Sequence, residues 1–580
     1  MFLPNLSHGS QSRDVVDTFA GYNHRQKISP SEWYFTKNLS TKNYPMFSTR
    51  TRRGKLQTMK APQGLIAKDK LAYVDNGTLY YDGSATPITG LSAGKKQIVG
   101  MGAYICIWPD KVFYNTENPS DYGNMEDTVT FSGNITYQPC RLSGEEYTGY
   151  PSQDTPPEDP KNGDLWYDTA AKSLKEYSDY QEEWVSIAVV YTKISLGTSG
   201  FAEKHFKKFD GVTISRSAFP DIIDGDKVIQ DIGTAYNEDY IIVIGLIEAP
   251  KRVKGTVMIS RTVPDLDYVC ECQNRIWGCY YGQSENGNLN EIYCCSLGDF
   301  RNWHVFQGIS TDSWVGSVGS DGPWTGAVNY LGYPTFFKDN RIHRVTVSSV
   351  GAHSITETVC RGVQQGSERS LVVVNEVLFY KSRTDVCVYQ GGFPEGISQA
   401  LGEVQYYDAV AGAYGDRYYI SMRDQDNAWH HFVFDSENKL WMREDDLHVM
   451  QYATLGDSIY AIDEDSSALL DLNGASGDIE PELNWEAVSG IRYYETPDRK
   501  YTSRYDLRIS APAGSEVQMF IQYDSDGIWR FCGKHFWRTL ATYAFPVRPR
   551  RCDHLVMKLV GNGDVKIYNI ACILEQGSDM

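Results

Sequence analysis

From residue 65 onward the sequence consists of short strand-turn-strand units recurring at a spacing of roughly forty to fifty residues, and this recurrence limits the fold more than any other feature. Leu71-Ala-Tyr-Val-Asp-Asn-Gly-Thr-Leu-Tyr-Tyr-Asp-Gly83 reads as a hairpin in which Asn76-Gly77 supplies the positive φ angles of a tight turn. Residues 268–281, 291–295 and 302–306 place further short strands within the length of one propeller blade. Strand pairs at 334–347, 371–389, 417–441 and 458–462 repeat the unit. Aromatic residues make up 13% of the chain, and 51 Gly and 23 Pro supply turns, a balance that favours strands over helices.

The pattern predicts an all-β chain with very little helix: a β-propeller with an inserted small β domain, a C-terminal β-sandwich-like domain and an extended N-terminal arm. Its expected parts are an arm at 1–64, a first propeller segment at 65–118, inserted β structure at 119–262 with a proline-led hairpin module at 150–189, the remaining blades at 263–478, and the C-terminal domain at 479–580. Clean alternation, as in Val517-Gln-Met-Phe-Ile-Gln-Tyr523, marks the last of these as a sandwich. The most apolar stretch, Tyr240–Ile247, is far short of the roughly 20 residues that cross a bilayer, so no membrane span is expected. Met1–His8 lacks the basic and apolar regions of a secretory signal, and the twelve cysteines read as reduced, buried thiols of a cytosolically made protein.

Charge is unevenly distributed. Residues 1–60 hold ten Lys/Arg against three Asp/Glu, a balance of +7 in a chain of −19, which leaves −26 for the rest. The arm also carries Trp33, Tyr34 and Phe35, rings that a purely solvated tail would not need. Arg50, Arg52 and Arg53 sit just before the first propeller strand. These six residues are the expected assembly site, with the rings as anchors and the arginines contacting carboxylates on a neighbouring subunit rather than DNA.

Little in the sequence points to catalysis. Cys270, Cys272, Cys279, Cys294 and Cys295 have strand spacing rather than zinc-ligand spacing, so they read as small buried hydrophobes. Asp321-Gly-Pro-Trp324 and Asp526-Gly-Ile-Trp529, each preceded by Ser, look like the Asp-box of sialidase propellers, but Asp-Gly is an ordinary turn pair. Glu444-Asp-Asp446 and Asp463-Glu-Asp465 read as solvated loop charges, and His430-His431 alternate faces of one strand. No nucleotide-binding, zincin or nucleophile-elbow motif is present. The expectation is a protein that is not an enzyme, with no catalytic, metal or cofactor site.

Asn38-Leu-Ser-Thr-Lys-Asn-Tyr-Pro-Met-Phe-Ser-Thr-Arg-Thr-Arg-Arg-Gly54 resembles the N-terminal segment of phage stabilisation proteins. Leu297–Gly308 with Ser317–Gly322, and Asp564–Tyr568 with Glu575–Asp579, are similar to the same family, whose architecture is that of the tail nozzle, or tail tubular protein B, of short-tailed phages. Gly163-Asp-Leu-Trp-Tyr-Asp168 resembles a module found in phage tail proteins. The resemblance implies a virion tail protein made in the host cytoplasm. It would form a cyclic oligomer, typically a hexamer, beneath the portal and adaptor, around a lumen that passes genomic DNA without sequence-specific binding. Six copies at −19 each would total −114, and an acidic wall repels phosphate. The competing class is a receptor- or carbohydrate-binding propeller at the tail tip, with a sialidase-like glycosidase behind it. A glycan binder would expose several rings in one groove.

Overall fold

The computed structural model describes residues 11–200, 202–284, 287–348, 351–494, 499–536 and 540–576. Among these the architecture is all-β, and the helical elements are single turns such as Ala202–His205 and Pro220–Ile223. No helix among the described residues is long and apolar enough to cross a membrane.

Seven antiparallel sheets form the propeller: blade 1 (62–85), blade 2 (97–124), blade 3 (268–317), blade 4 (326–359), blade 5 (372–396), blade 6 (406–445) and blade 7 (449–471). Each is a meander of short hairpins. In blade 1 the predicted Asn76-Gly77 turn is present with φ of 49° and 74°, values a β-branched residue would adopt only at a steric cost. First strands of successive blades lie side by side, the short turn Glu368–Ser370 mediating between blades 4 and 5. Val449–Leu455 of blade 7 returns to Pro62–Lys68 of blade 1, which closes the ring.

Blade 7 draws only three strands from its own stretch, Val449–Leu455, Ser458–Asp463 and Ala468–Asp471. The fourth is Gly54–Thr58, paired from Ala468↔Thr58 to Asp471↔Gly54. The rest of the N-terminal segment builds the C-terminal sandwich. Gln11–Val16 and Phe47–Thr49 pair with Lys566–Gln576, and Trp33–Lys37 pairs with Asn484–Ser489. Between these strands the segment covers the outer strand of blade 6: Tyr22 N donates to Trp441 O at 2.6 Å, Thr36 Oγ1 to Arg443 O at 2.8 Å, and Asn38 N to Glu444 O.

This overturns the expected free arm at 1–64, whose first ten residues lie outside those described. Blade 6, blade 7 and both sandwich sheets would otherwise end in edges with unpaired backbone groups, and the N-terminal segment satisfies them within one chain. The propeller proper therefore runs from Gly54 rather than 65.

Between blades 2 and 3 lies a seven-stranded sheet within 127–261, wrapped around Ile194, Ile214, Ile241, Val243 and Ile259. Asp210 holds it against blade 3, accepting from Asn302 Nδ2 at 3.1 Å while pairing with Arg261 at 3.0 Å. The hairpin module is a four-stranded sheet within 152–186, seated on the insertion through Tyr147, Val190 and Leu246.

Candidate functional site

Where the N-terminal segment passes between blade 6, blade 7 and the sandwich, it buries charge. Arg53 Nη1 lies 2.7 Å from Asp445 Oδ2, and its Nη2 lies 3.6 Å from Glu444 Oε2. Arg50 Nη1 meets Glu480 Oε2 at 2.7 Å, Nη2 meets Glu480 Oε1 at 3.2 Å and Asp445 Oδ2 at 3.4 Å, and Nε donates to Asn38 Oδ1 at 2.9 Å. Glu480 also caps the Arg53 backbone N–H at 2.8 Å. Both arginines are buried, as are Glu444, Asp445 and His431. Gly54 follows immediately, and a Cβ there would stand 1.7 Å from the Ser476 carbonyl oxygen, so the turn into blade 7 admits no side chain.

Enclosure sets the electrostatics. Burial alone would raise the Asp445 carboxyl, but Arg53 and Arg50 override it and hold the group well below the usual carboxylate range. Glu444 shows the opposite balance: burial raises it, and Arg53 and Arg50 offset only part. Burial pulls the His431 imidazole down to about 3 despite Asp445 nearby, because the arginines repel a third cation. Two guanidinium groups therefore face three carboxylates around a neutral imidazole, a rigid seam that joins propeller to sandwich.

Of the six predicted assembly residues, the seam brings together Arg50 and Arg53, but their carboxylate partners belong to the same chain, which corrects the expectation of a neighbouring subunit. Arg52 Nη1 donates to the Glu480 carbonyl oxygen at 3.5 Å and meets no carboxylate among the described residues. Trp33 is fully buried in the sandwich core, stacked 5.1 Å from Phe47. Phe35 lies 5.1 Å under the Arg443 guanidinium, and Tyr34 stacks on His24 at the surface. Glu444 and Asp445, expected as solvated loop charges, are the acidic half of the seam, because the N-terminal segment covers the strand they end. The signal available in sequence was the missing fourth strand of blade 7.

Other candidate chemistry resolves into structure. The blade 3 cysteines are buried; Cys272, Cys279 and Cys294 pack around Trp277, while Cys295 Sγ accepts from Ile276 N at 3.1 Å. In the first Asp-box-like turn, Ser320 Oγ and Glu357 Oε2 both meet His343 Nε2, at 3.0 and 3.1 Å. A nucleophile relay needs serine and carboxylate on opposite ring nitrogens, so this contact is not one. Trp324 Nε1 donates to Tyr280 O at 3.2 Å, and Lys338 bonds Ser320 O at 2.6 Å while lying 4.6 Å from the Trp324 ring, which ties blade 4 to blade 3. The second such turn joins two sandwich strands, with Asp526 accepting from Ile528 N at 3.1 Å.

Two cavities bear on ligand binding. A groove of about 630 Å³ between blades 4, 5 and 6 is lined by Asp339, Arg361, Gln364, Arg383 and Gln405, and Tyr407 is the one ring among its described lining residues. The propeller axis is bridged by Arg369, which leads into blade 5 and donates to Met450 O of blade 7 at 2.8 Å and Lys96 O beside blade 2 at 3.1 Å. Next to it lies a cavity of about 400 Å³ walled by Val372, Val410, Ala411 and Ala453.

A scan with family models and a search of curated proteins give no match. Among solved structures, the Trypanosoma rangeli sialidase in complex with sialic acid aligns over 90% of this chain and 95% of its own at 9% identity and a TM-score of 0.21. A glycoside hydrolase aligns over 95% of this chain and 100% of its own at 11% identity and a TM-score of 0.16. Similarity at this level carries no argument about activity.

Proposed function

We propose that this protein is a ring-forming structural subunit of a phage tail, a nozzle or head-tail stabilisation component, in which DNA passes between subunits rather than through the propeller. The observation that carries the reading is the seam. Asn38–Gly54, the segment on which the resemblance chiefly rests, is the stretch that supplies Asn38, Arg50, Arg53 and Gly54 to the joint between propeller and sandwich. A building block that transmits load through a ring needs its domains fixed to one another, and buried ion pairs fix relative position because they tolerate little displacement. The bridged axis fits the same reading, in which the lumen lies between copies. The acidic chain suits a wall that phosphate must slide past.

Electron microscopy of the purified protein and of the particle that carries it tests the proposal. Closed rings, most simply of six copies, with a lumen between subunits are expected. A 65.5 kDa monomer at every concentration, with no copies in the particle, would contradict it.

A further inference from the structure

A cavity of about 440 Å³ opens beside the seam, its wall drawn from residues 42–52 of the N-terminal segment, from 474–479 after blade 7 and from 564–566 at the start of the last strand. Lys42, Arg52 and Lys566 all line it. Lys42 Nζ donates to the Thr51 hydroxyl at 3.2 Å, and Arg52 Nη1 to the Glu480 carbonyl oxygen at 3.5 Å. Among the described residues, none of the three cations forms an ion pair with a carboxylate, and Asp564, the one acid in the described lining apart from the paired seam, joins none of them.

This is unlike the rest of the region. On the neighbouring sandwich Lys558 is answered by Glu486, Lys534 by Glu516 and Arg13 by Asp506, while Arg50, at the edge of the same cavity, is held by Glu480 and Asp445. The main chain adds to the imbalance. Thr51 and Arg52 lie outside any strand, and neither donates its backbone N–H to an acceptor among the described residues.

We infer that this cavity is an oxyanion site that takes a phosphoryl group. An arginine fork meets two phosphate oxygens at once, lysine ammonium groups neutralise the remaining charge, and successive backbone N–H groups in a loop make an anion cradle. A phosphoryl group brings close to two negative charges and three acceptor oxygens, enough to engage all three cations and the amides together. In a chain of −19 the overall field repels anions, so such a ligand binds only where cations without counter-ions are gathered at short range. The cavity is complete within one chain, so the inference goes beyond the proposed assembly and does not depend on it. The group is supplied either by a small free anion or by the phosphodiesters of a nucleic acid; the chemistry is shared, and two probes separate the sources.

The test is isothermal titration calorimetry on the full chain at low salt, with inorganic pyrophosphate as one probe and a short thymidine oligonucleotide lacking a terminal phosphate as the other. One variant carries Lys42→Gln with Lys566→Gln; a control carries Lys172→Gln with Lys254→Gln, the same change in net charge placed on the hairpin module and the insertion. All four side chains are exposed, and thermal unfolding of both variants should match wild type. Saturable binding at one site per chain is expected, weakened roughly 100-fold in the first variant, about tenfold per cation removed, and unchanged in the control. Added salt should weaken it. An oligonucleotide that competes with pyrophosphate and fails on the same variant identifies phosphodiesters as the source; pyrophosphate binding without such competition identifies a free anion. Equal affinity in wild type and the first variant, equal weakening in both variants, or no saturable binding of either probe would overturn the site.

Discussion

Blades 2 to 6 and the blade 7–sandwich region are made of the same kind of strand, yet they are built differently. Each blade between 2 and 6 is a meander of neighbouring strands, and most pairing partners sit a turn apart in sequence, the exception being blade 3, where Cys294 pairs with Trp314 across a longer loop. In blade 7 and the sandwich, Gly54 pairs with Asp471, Asp14 with Cys572 and Phe47 with Ile567. The local region needs only turn chemistry and alternation to form. The distant region needs loop closure over most of the chain first, and it contains the buried ion pairs.

Removing residues 11–60 should therefore break the two regions apart. The deletion takes one strand from blade 7, strands from both sandwich sheets and two arginines from the seam, so loss of cooperative folding is expected, seen as insolubility or loss of the main calorimetric transition. If the truncated chain stays folded and soluble, the segment is an accessory. Next in size is Arg53→Met, which leaves Asp445 and Glu444 buried without their closest cation; a loss of about 3–5 kcal/mol in denaturant unfolding is expected. An effect below about 1 kcal/mol would mean that the seam is hydrated, as surface pairs are. Gly54→Ala drives a methyl into the Ser476 carbonyl, so it should fall near the top of the ~1–3 kcal/mol range for overpacking, whereas Gly83→Ala, with open space around it, should cost only its backbone strain.

Acid should distinguish the regions more gently. The folded pKa of His431 lies below its ordinary value, and so does that of Asp445, so both take up protons more readily in the unfolded chain. Their contributions are full above about pH 6.5 and are lost as pH falls, His431 first. With His431 at about 3 in the folded state, the loss by pH 5 is on the order of 2 kcal/mol. Glu444, raised by burial, works in the opposite direction at lower pH and offsets part of the Asp445 loss. His431→Gln should flatten the stability profile between pH 7 and 5; an unchanged slope would remove His431 from the account.

The contrast also explains what could be read from the sequence. The Asn76-Gly77 hairpin, the spacing of forty to fifty residues and the alternation of Val517–Tyr523 are local signals of strands and turns; even so, residues 302–306, read as a strand of blade 3, are irregular, and Trp314–Ser317 forms that strand instead. Trp33, Arg50 and Arg53 carry no such signal, because their partners are Phe47 across a turn and Glu480 and Asp445 some 400 positions away. Read alone, a basic aromatic segment looks like an arm for another molecule. Only the count of strands in blade 7, three where four are needed, indicates that the partner is the chain itself.

Native-state hydrogen exchange on the isolated monomeric chain tests this most directly. Amides of Gly54–Thr58 and Trp33–Lys37 should be as protected as those of Ser458–Asp463 and Asn484–Ser489, beside which they lie. Fast exchange of the N-terminal amides in the isolated chain, with protection appearing only in an assembled particle, would contradict the account and return the segment to the role of an intermolecular arm.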